Sequence, residues 1–163
     1  MMTLKEAFDV MDRHHAGALP IQMVDFANDL GIAVYRVPNW PSDLSGMIKK
    51  SADTVSGLAI YVNANHPVVR RRFTIAHECA HAMLHSELIG DGVVDDALYR
   101  SGLSSAVEAQ ANRLAADILM PRHRLSELIQ NGTTSLAELA KKFWVSEQAM
   151  AIRLGIPQDV MQL

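Results

Sequence analysis

A single cysteine, Cys79, stands in the 163 residues, so no disulfide can close within the chain, and a reducing compartment is expected. No apolar run approaches the roughly 20 residues that a membrane-spanning helix needs. The first ten residues, Met1 to Val10, place Lys5, Glu6 and Asp9 where a secretory leader would be uninterrupted and apolar. These absences together predict a cytoplasmic protein. Internal repeats and low-complexity tracts are also missing, and the length suits one core with a small appendage rather than two independent enzymes. Hydrophobic residues at 49% and charged residues at 20% place the chain among ordinary globular proteins and exclude disorder or a fibre.

The net charge is only −3, but it is unevenly placed. Between Phe73 and Pro121, Arg100 and Arg113 alone oppose Glu78, Glu87, Asp91, Asp95, Asp96, Glu108 and Asp117. A cation would be welcome in such a segment. For Asp91, Asp95 and Asp96 the plainer reading is a solvated loop.

Apolar spacing predicts a helix over Thr3 to His14, and a second from near Pro20 to a C-terminal cap at Gly31. The β-branched run 32–37 reads as a strand ended by Pro38. Gly46 to Lys50 and Leu58 to Asn63 follow as strands joined by a polar turn, which predicts a small antiparallel sheet. From Pro67 a long helix is expected, because Val69, Phe73, Ala76, Ala80 and Met83 recur every three or four residues. An acidic loop runs from Gly90 to about Ser105, with Leu98, Tyr99 and Leu103 as candidate anchors. The stripe Val107, Ala111, Leu114, Ile118 then marks a helix ending at Pro121. Ser135 caps a helix from Leu136 to Phe143, and another spans Glu147 to about Leu154.

Inside the long helix stands His77-Glu78-Cys79-Ala80-His81, an HExxH motif. Residues four apart share a helical face, so both imidazoles can reach one ion while Glu78 projects beside them. That geometry suits Zn2+, which takes tetrahedral nitrogen and oxygen ligands and leaves a position for water. Glu78 is then the general base. The third ligand is not the histidine of a metzincin, since Leu84 and Glu87 occupy the positions that class requires. His85 keeps the rhythm but lies two turns from His77, and reads as packing or as support for a ligand. Glu108 is the better candidate, with Asn112 one turn later placed to hold a ligating imidazole, as in gluzincins. The rival reading makes Ser105 to Glu108 a capping box, with Glu108 serving only the backbone. Cys79, next to the apolar stripe, reads as a buried structural thiol. Arg70, Arg71 and Arg72 at a helix start are weak support for a nucleic-acid patch.

The stretch Arg72 to Glu78 continuing through His81 to His85, followed by Glu108-Ala109-Gln110-Ala111-Asn112-Arg113-Leu114-Ala115-Ala116-Asp117-Ile118-Leu119-Met120-Pro121, resembles the ImmA/IrrE family of metallo-endopeptidases. Ser45-Gly46, Ile60 to Asn63 and the closing segment Val145 to Leu154 extend the likeness over nearly the whole chain. Cys79-Ala80 and Leu114 depart mildly from the family pattern. The resemblance implies a zincin-like α+β fold, zinc held by His77, His81 and Glu108, and Glu78 as the catalytic base. It also implies a substrate, a helix-turn-helix (Xre-like) repressor or antitoxin-like partner whose cleavage derepresses genes. In zincin-like folds the strand before the active helix offers its edge to the substrate, here 58–63.

A catalytic domain over 1–121 and a C-terminal helical extension over 122–163 follow as expectations. The extension also reads as helix-turn-helix, which leaves a DNA-binding or catalytically silent interaction module as the alternative. Its five basic and four acidic side chains are poor for phosphate contacts, so direct nucleic-acid binding is not expected.

Overall fold

In the computed structural model, residues 2–89, 94–95 and 105–157 are described. Thr3 opens helix α1 (Leu4–Ala16): its hydroxyl accepts from the Glu6 amide at 3.2 Å, and the Glu6 carboxylate accepts from the Thr3 amide at 2.6 Å. Helix α2 (Met23–Asp29) buries Met23, Phe26 and Ala27 and gives way at Gly31, whose φ of +78° is open to glycine at little cost. The Gly31 carbonyl then accepts from both the amide and the hydroxyl of Ser56, which fastens the turn before β3 to the end of α2.

The strands are β1 (Ala33–Val37), β2 (Gly46–Lys50), β3 (Leu58–Asn63) and the two-residue β4 (Val94–Asp95), in the order β1-β3-β2-β4. The sheet is mixed, which corrects the expected antiparallel one. β2 pairs antiparallel with both β3 and β4, but β1 pairs parallel with β3. The reason is burial. Leu58, Ala59, Ile60 and Val62 are all nearly inaccessible, so β3 takes the centre, whereas Tyr35 and Arg36 keep β1 at an edge. The loop 38–45 carries the chain past that central slot, and Asn63 holds it there by donating to the carbonyls of Pro41 and Leu44. A central strand has no free backbone edge, so the expectation that 58–63 lines up substrate is also overturned.

Helix α3 (Val68–Leu84) lies across β2 and β3 and packs against α4 (Ser105–Leu119). The approach to the sheet is close: a Cβ at Gly46 would collide with Thr74 Cγ2. Fully buried alanines on both helices, Ala76 and Ala80, Ala111 and Ala115, suit a short interaxial distance. Most of the expected acidic loop, with Leu98, Tyr99 and Leu103, lies outside the described residues.

Three helices follow, α5 (Arg122–Gln130), α6 (Leu136–Phe143) and α7 (Glu147–Arg153). Helix α5 is not among the expected elements, since Pro121 by itself signals only the end of α4. It also starts a helix, since its φ of −57° already has the helical value and the amide it lacks is one a first turn leaves unused. Leu125, Leu139, Phe143 and Met150 from these helices join the same hydrophobic cluster as Ile75 and Ala76 of α3.

Arg72 fastens α6 to α3. Buried at 6% exposure, it donates to the carbonyls of Ile21 (2.8 Å), Trp144 (3.0 Å) and Phe143 (3.2 Å). Its guanidinium also lies 5.0 Å from the centre of the Trp144 ring. Trp144 is left-handed at φ 54°, a strained setting for a bulky residue that these contacts hold in place. Arg72→Ala leaves three carbonyls without their donor. It is expected to destabilise the fold by about 2–4 kcal/mol, read as a lower urea midpoint. An unchanged midpoint would mean that water replaces the guanidinium freely.

Candidate metal centre

Helix α3 carries His77 and His81 one turn apart, and α4 brings Glu108 up to them from a separate part of the chain. The three side chains meet. His77 Nε2 and His81 Nε2 are 3.1 Å apart, Glu108 Oε1 is 3.0 Å from His81 Nε2, and Glu108 Oε2 is 3.3 Å from His77 Nε2. All are buried, at 3%, 1% and 7% exposure in the order His77, His81, Glu108.

Tautomers follow from the partners behind each ring. His77 Nδ1 lies 2.8 Å from Asn112 Oδ1, which can only accept, so the proton sits on Nδ1 and Nε2 presents its lone pair. Behind His81 the chain is longer. His85 Nε2 donates to Gln110 Oε1 at 2.8 Å, which leaves His85 Nδ1 to accept from His81 Nδ1 at 3.0 Å. His81 Nε2 is thereby also a lone pair. Burial first, and then neighbouring His77, push the His81 imidazole down to about 4, which keeps it in the neutral form that ligates.

Two imidazole lone pairs and a carboxylate therefore face one point with no proton among the imidazole nitrogens that meet there. A cation resolves that arrangement. A tetrahedron around zinc, with bonds of roughly 2.0–2.1 Å, has edges of about 3.3–3.4 Å, close to the three spacings observed. His77, His81 and Glu108 are also a group of metal-ligating side chains with donor atoms within 4.8 Å of one another. The residues fit a small divalent ion of zinc's ligand preference.

Glu78 lies in the same turn as His77 and is completely buried. Cys79 is free and buried, and burial, together with the charge of Glu78, raises its thiol well above the ordinary range, so it is inert packing. His85 stands just past the end of α3, where the backbone leaves the helix at φ −131° and turns the ring behind His81. Gln110, which holds His85 Nε2 at 2.8 Å, is a supporting residue not among the expected ones. Helical spacing gives no signal for it, because residues two apart, such as Glu108 and Gln110, do not share a helical face. Ser105 is the first residue of α4 rather than its cap, and Glu108 aims both oxygens at the imidazoles.

No helix among the described residues is long and apolar enough to cross a membrane. Two relatives to which the chain is similar are both radiation response metalloproteases IrrE. That of Deinococcus radiodurans is 39% identical over 92 residues, covering 53% of this chain and 27% of that protein. That of Deinococcus deserti is 36% identical over 92 residues, covering 53% of this chain and 32% of that protein. The chain thus matches less than a third of the length of either relative. A solved structure of a Mycobacterium tuberculosis transcriptional regulator is similar at TM-score 0.62 over 94% of this chain and 48% of that one, and at 20% identity it speaks to the fold alone. The profile of the peptidase M78 family, the IrrE N-terminal-like domain, matches residues 27–155, and with the histidine pair and carboxylate in place the chain belongs to that family of metallopeptidases.

Proposed function

We propose that the protein is a zinc-dependent endopeptidase of zincin-like, gluzincin-type architecture that cuts a helix-turn-helix repressor or antitoxin-like partner and so derepresses genes. The convergence of His77, His81 and Glu108 without a proton between the imidazoles is the observation that carries it. Zinc, when bound, supplies a Lewis acid that polarises a peptide carbonyl and lowers the pKa of water toward about 7. The chain does the rest. Asn112 orients His77, and Gln110 acting through His85 orients His81, so both rings present Nε2. Glu78, buried one residue from a ligand, takes the proton of the attacking water and returns it to the leaving amine. Residues 1–121 form the catalytic unit and 122–163 its helical extension. Membership of a metallopeptidase family supports the reaction class, and the cytoplasm is the compartment that a lone buried thiol favours.

Elemental analysis should find one zinc per chain. Incubation with the repressor encoded beside this gene should give two discrete fragments, and a chelator should abolish them. Absence of stoichiometric metal after zinc is offered would remove the peptidase reading.

A further inference from the structure

Beside the histidine pair, a groove of about 950 Å³ runs between α3, α4 and α7. Its floor is apolar, with Val69 and Phe73 from α3, Ala116 from α4, Met120 just past its end, and Ala149 and Ile152 from α7. Ile152 is 61% exposed, an uncovered apolar side chain at the groove's margin. The rim is basic: Arg70, Arg113 and Arg122 line it, and all three are exposed. Among the described residues neither Arg113 nor Arg122 forms an ion pair. A fourth arginine, Arg153, pairs with Asp117 at 2.7 Å and donates to the Met120 carbonyl. Asp117 is the only carboxylate among the described residues that line the groove, and its charge is already answered by Arg153. In a chain of net charge −3 this is a basic concavity with an apolar base.

Its position ties it to the metal centre. Val69, Phe73 and His77 recur at intervals of four along one face of α3, so the floor continues toward the first imidazole. Asn112 lines the groove and also holds His77 Nδ1.

We propose that this groove docks an acidic amphipathic segment of the protein the enzyme cuts, with apolar side chains on the floor and carboxylates against Arg70, Arg113 and Arg122. The proposal rests on the peptidase reading, but docking is a binding event that needs no catalysis. Duplex DNA has no apolar face to cover Phe73 and Ile152, and so gains only the rim. A small molecule would be enclosed over most of its surface, whereas here the arginines and Ile152 stay open to solvent. A helix with one apolar stripe and acidic flanks uses both parts.

The test uses the full chain carrying Glu78→Gln, so that nothing is cut. The probe is a fluorescein-labelled helical peptide of about 18 residues, five turns, with leucines on one face and glutamates beside them. Its twin has lysines for the glutamates. Anisotropy titration should show the glutamate peptide bound and the lysine twin at least tenfold weaker. R113E/R122E should weaken the glutamate peptide by about tenfold or more and strengthen the twin, with the thermal melt unchanged because both side chains are exposed. Ile152→Asp should weaken both peptides. Equal binding of the two peptides, or a titration that R113E/R122E leaves unaltered, overturns the proposal. So does competition by a duplex oligonucleotide, which would make the groove a nucleic-acid site, or a change of oligomeric state in R113E/R122E, which would make it a contact between copies. Peptide binding as described, in a protein that never cuts its repressor, would leave the docking site standing and the peptidase reading fallen.

Discussion

Glu108→Ala is expected to lose zinc, and activity with it. The carboxylate is 7% exposed and sits within 3.3 Å of both imidazole Nε2 atoms, so its removal would take one of the three proposed protein ligands, and the anionic one among them. Changing a residue that merely supports a ligand costs roughly 10 to 100-fold in metal affinity, and losing a ligand should cost more. A second signature follows from the same geometry. The stabilisation that zinc confers on the parent should vanish in Glu108→Ala. A capping residue would behave in the opposite way, costing about 1 kcal/mol of stability with zinc affinity intact. Zinc titration against a chromophoric chelator, run beside a thermal melt with and without zinc, separates the two. Full zinc affinity in Glu108→Ala would move the search for a third ligand to Glu87, Asp91, Asp95 and Asp96.

Glu78→Gln should do the reverse, keeping the metal and losing the chemistry. The amide is nearly isosteric with the carboxylate, so a completely buried position accepts it without a change of volume. What would disappear is the carboxylate proposed to accept a proton from water and pass it to the leaving nitrogen. Zinc content should match that of the parent, and cleavage of the repressor should fall by roughly two to four orders of magnitude in a single-turnover assay. Cleavage at the parental rate would take Glu78 out of the proton transfer altogether.

Much of the local structure was legible before the fold was known, because it is decided within a few residues. β2, β3 and α6 begin and end at the predicted positions, and Gly31 ends α2 as its freedom at positive φ suggests. The HExxH spacing is legible for the same reason, since a helix alone puts positions four apart on one face. Pro121 shows the limit of such reading: a residue that ends one helix can open the next, and only the packing of Leu125 into the core distinguishes the cases.

By itself, then, the sequence determined most of the elements, though not α5 or β4, together with the paired imidazoles and the family pattern, all set by short-range periodicity and spacing. Tertiary structure alone decided the rest. It put β3 between β1 and β2 because the most apolar strand minimises its exposed surface at the centre, whatever the chain order. It turned Arg72 inward onto the carbonyls of Ile21, Phe143 and Trp144, which are distant in sequence and meet only when α6 docks on α3. The backing of His81 by Gln110 through His85 depends in the same way on the approach of α3 and α4. A hydrogen bond between residues that lie far apart along the chain leaves no periodic trace, because its donor and acceptor are brought together by the burial of other side chains.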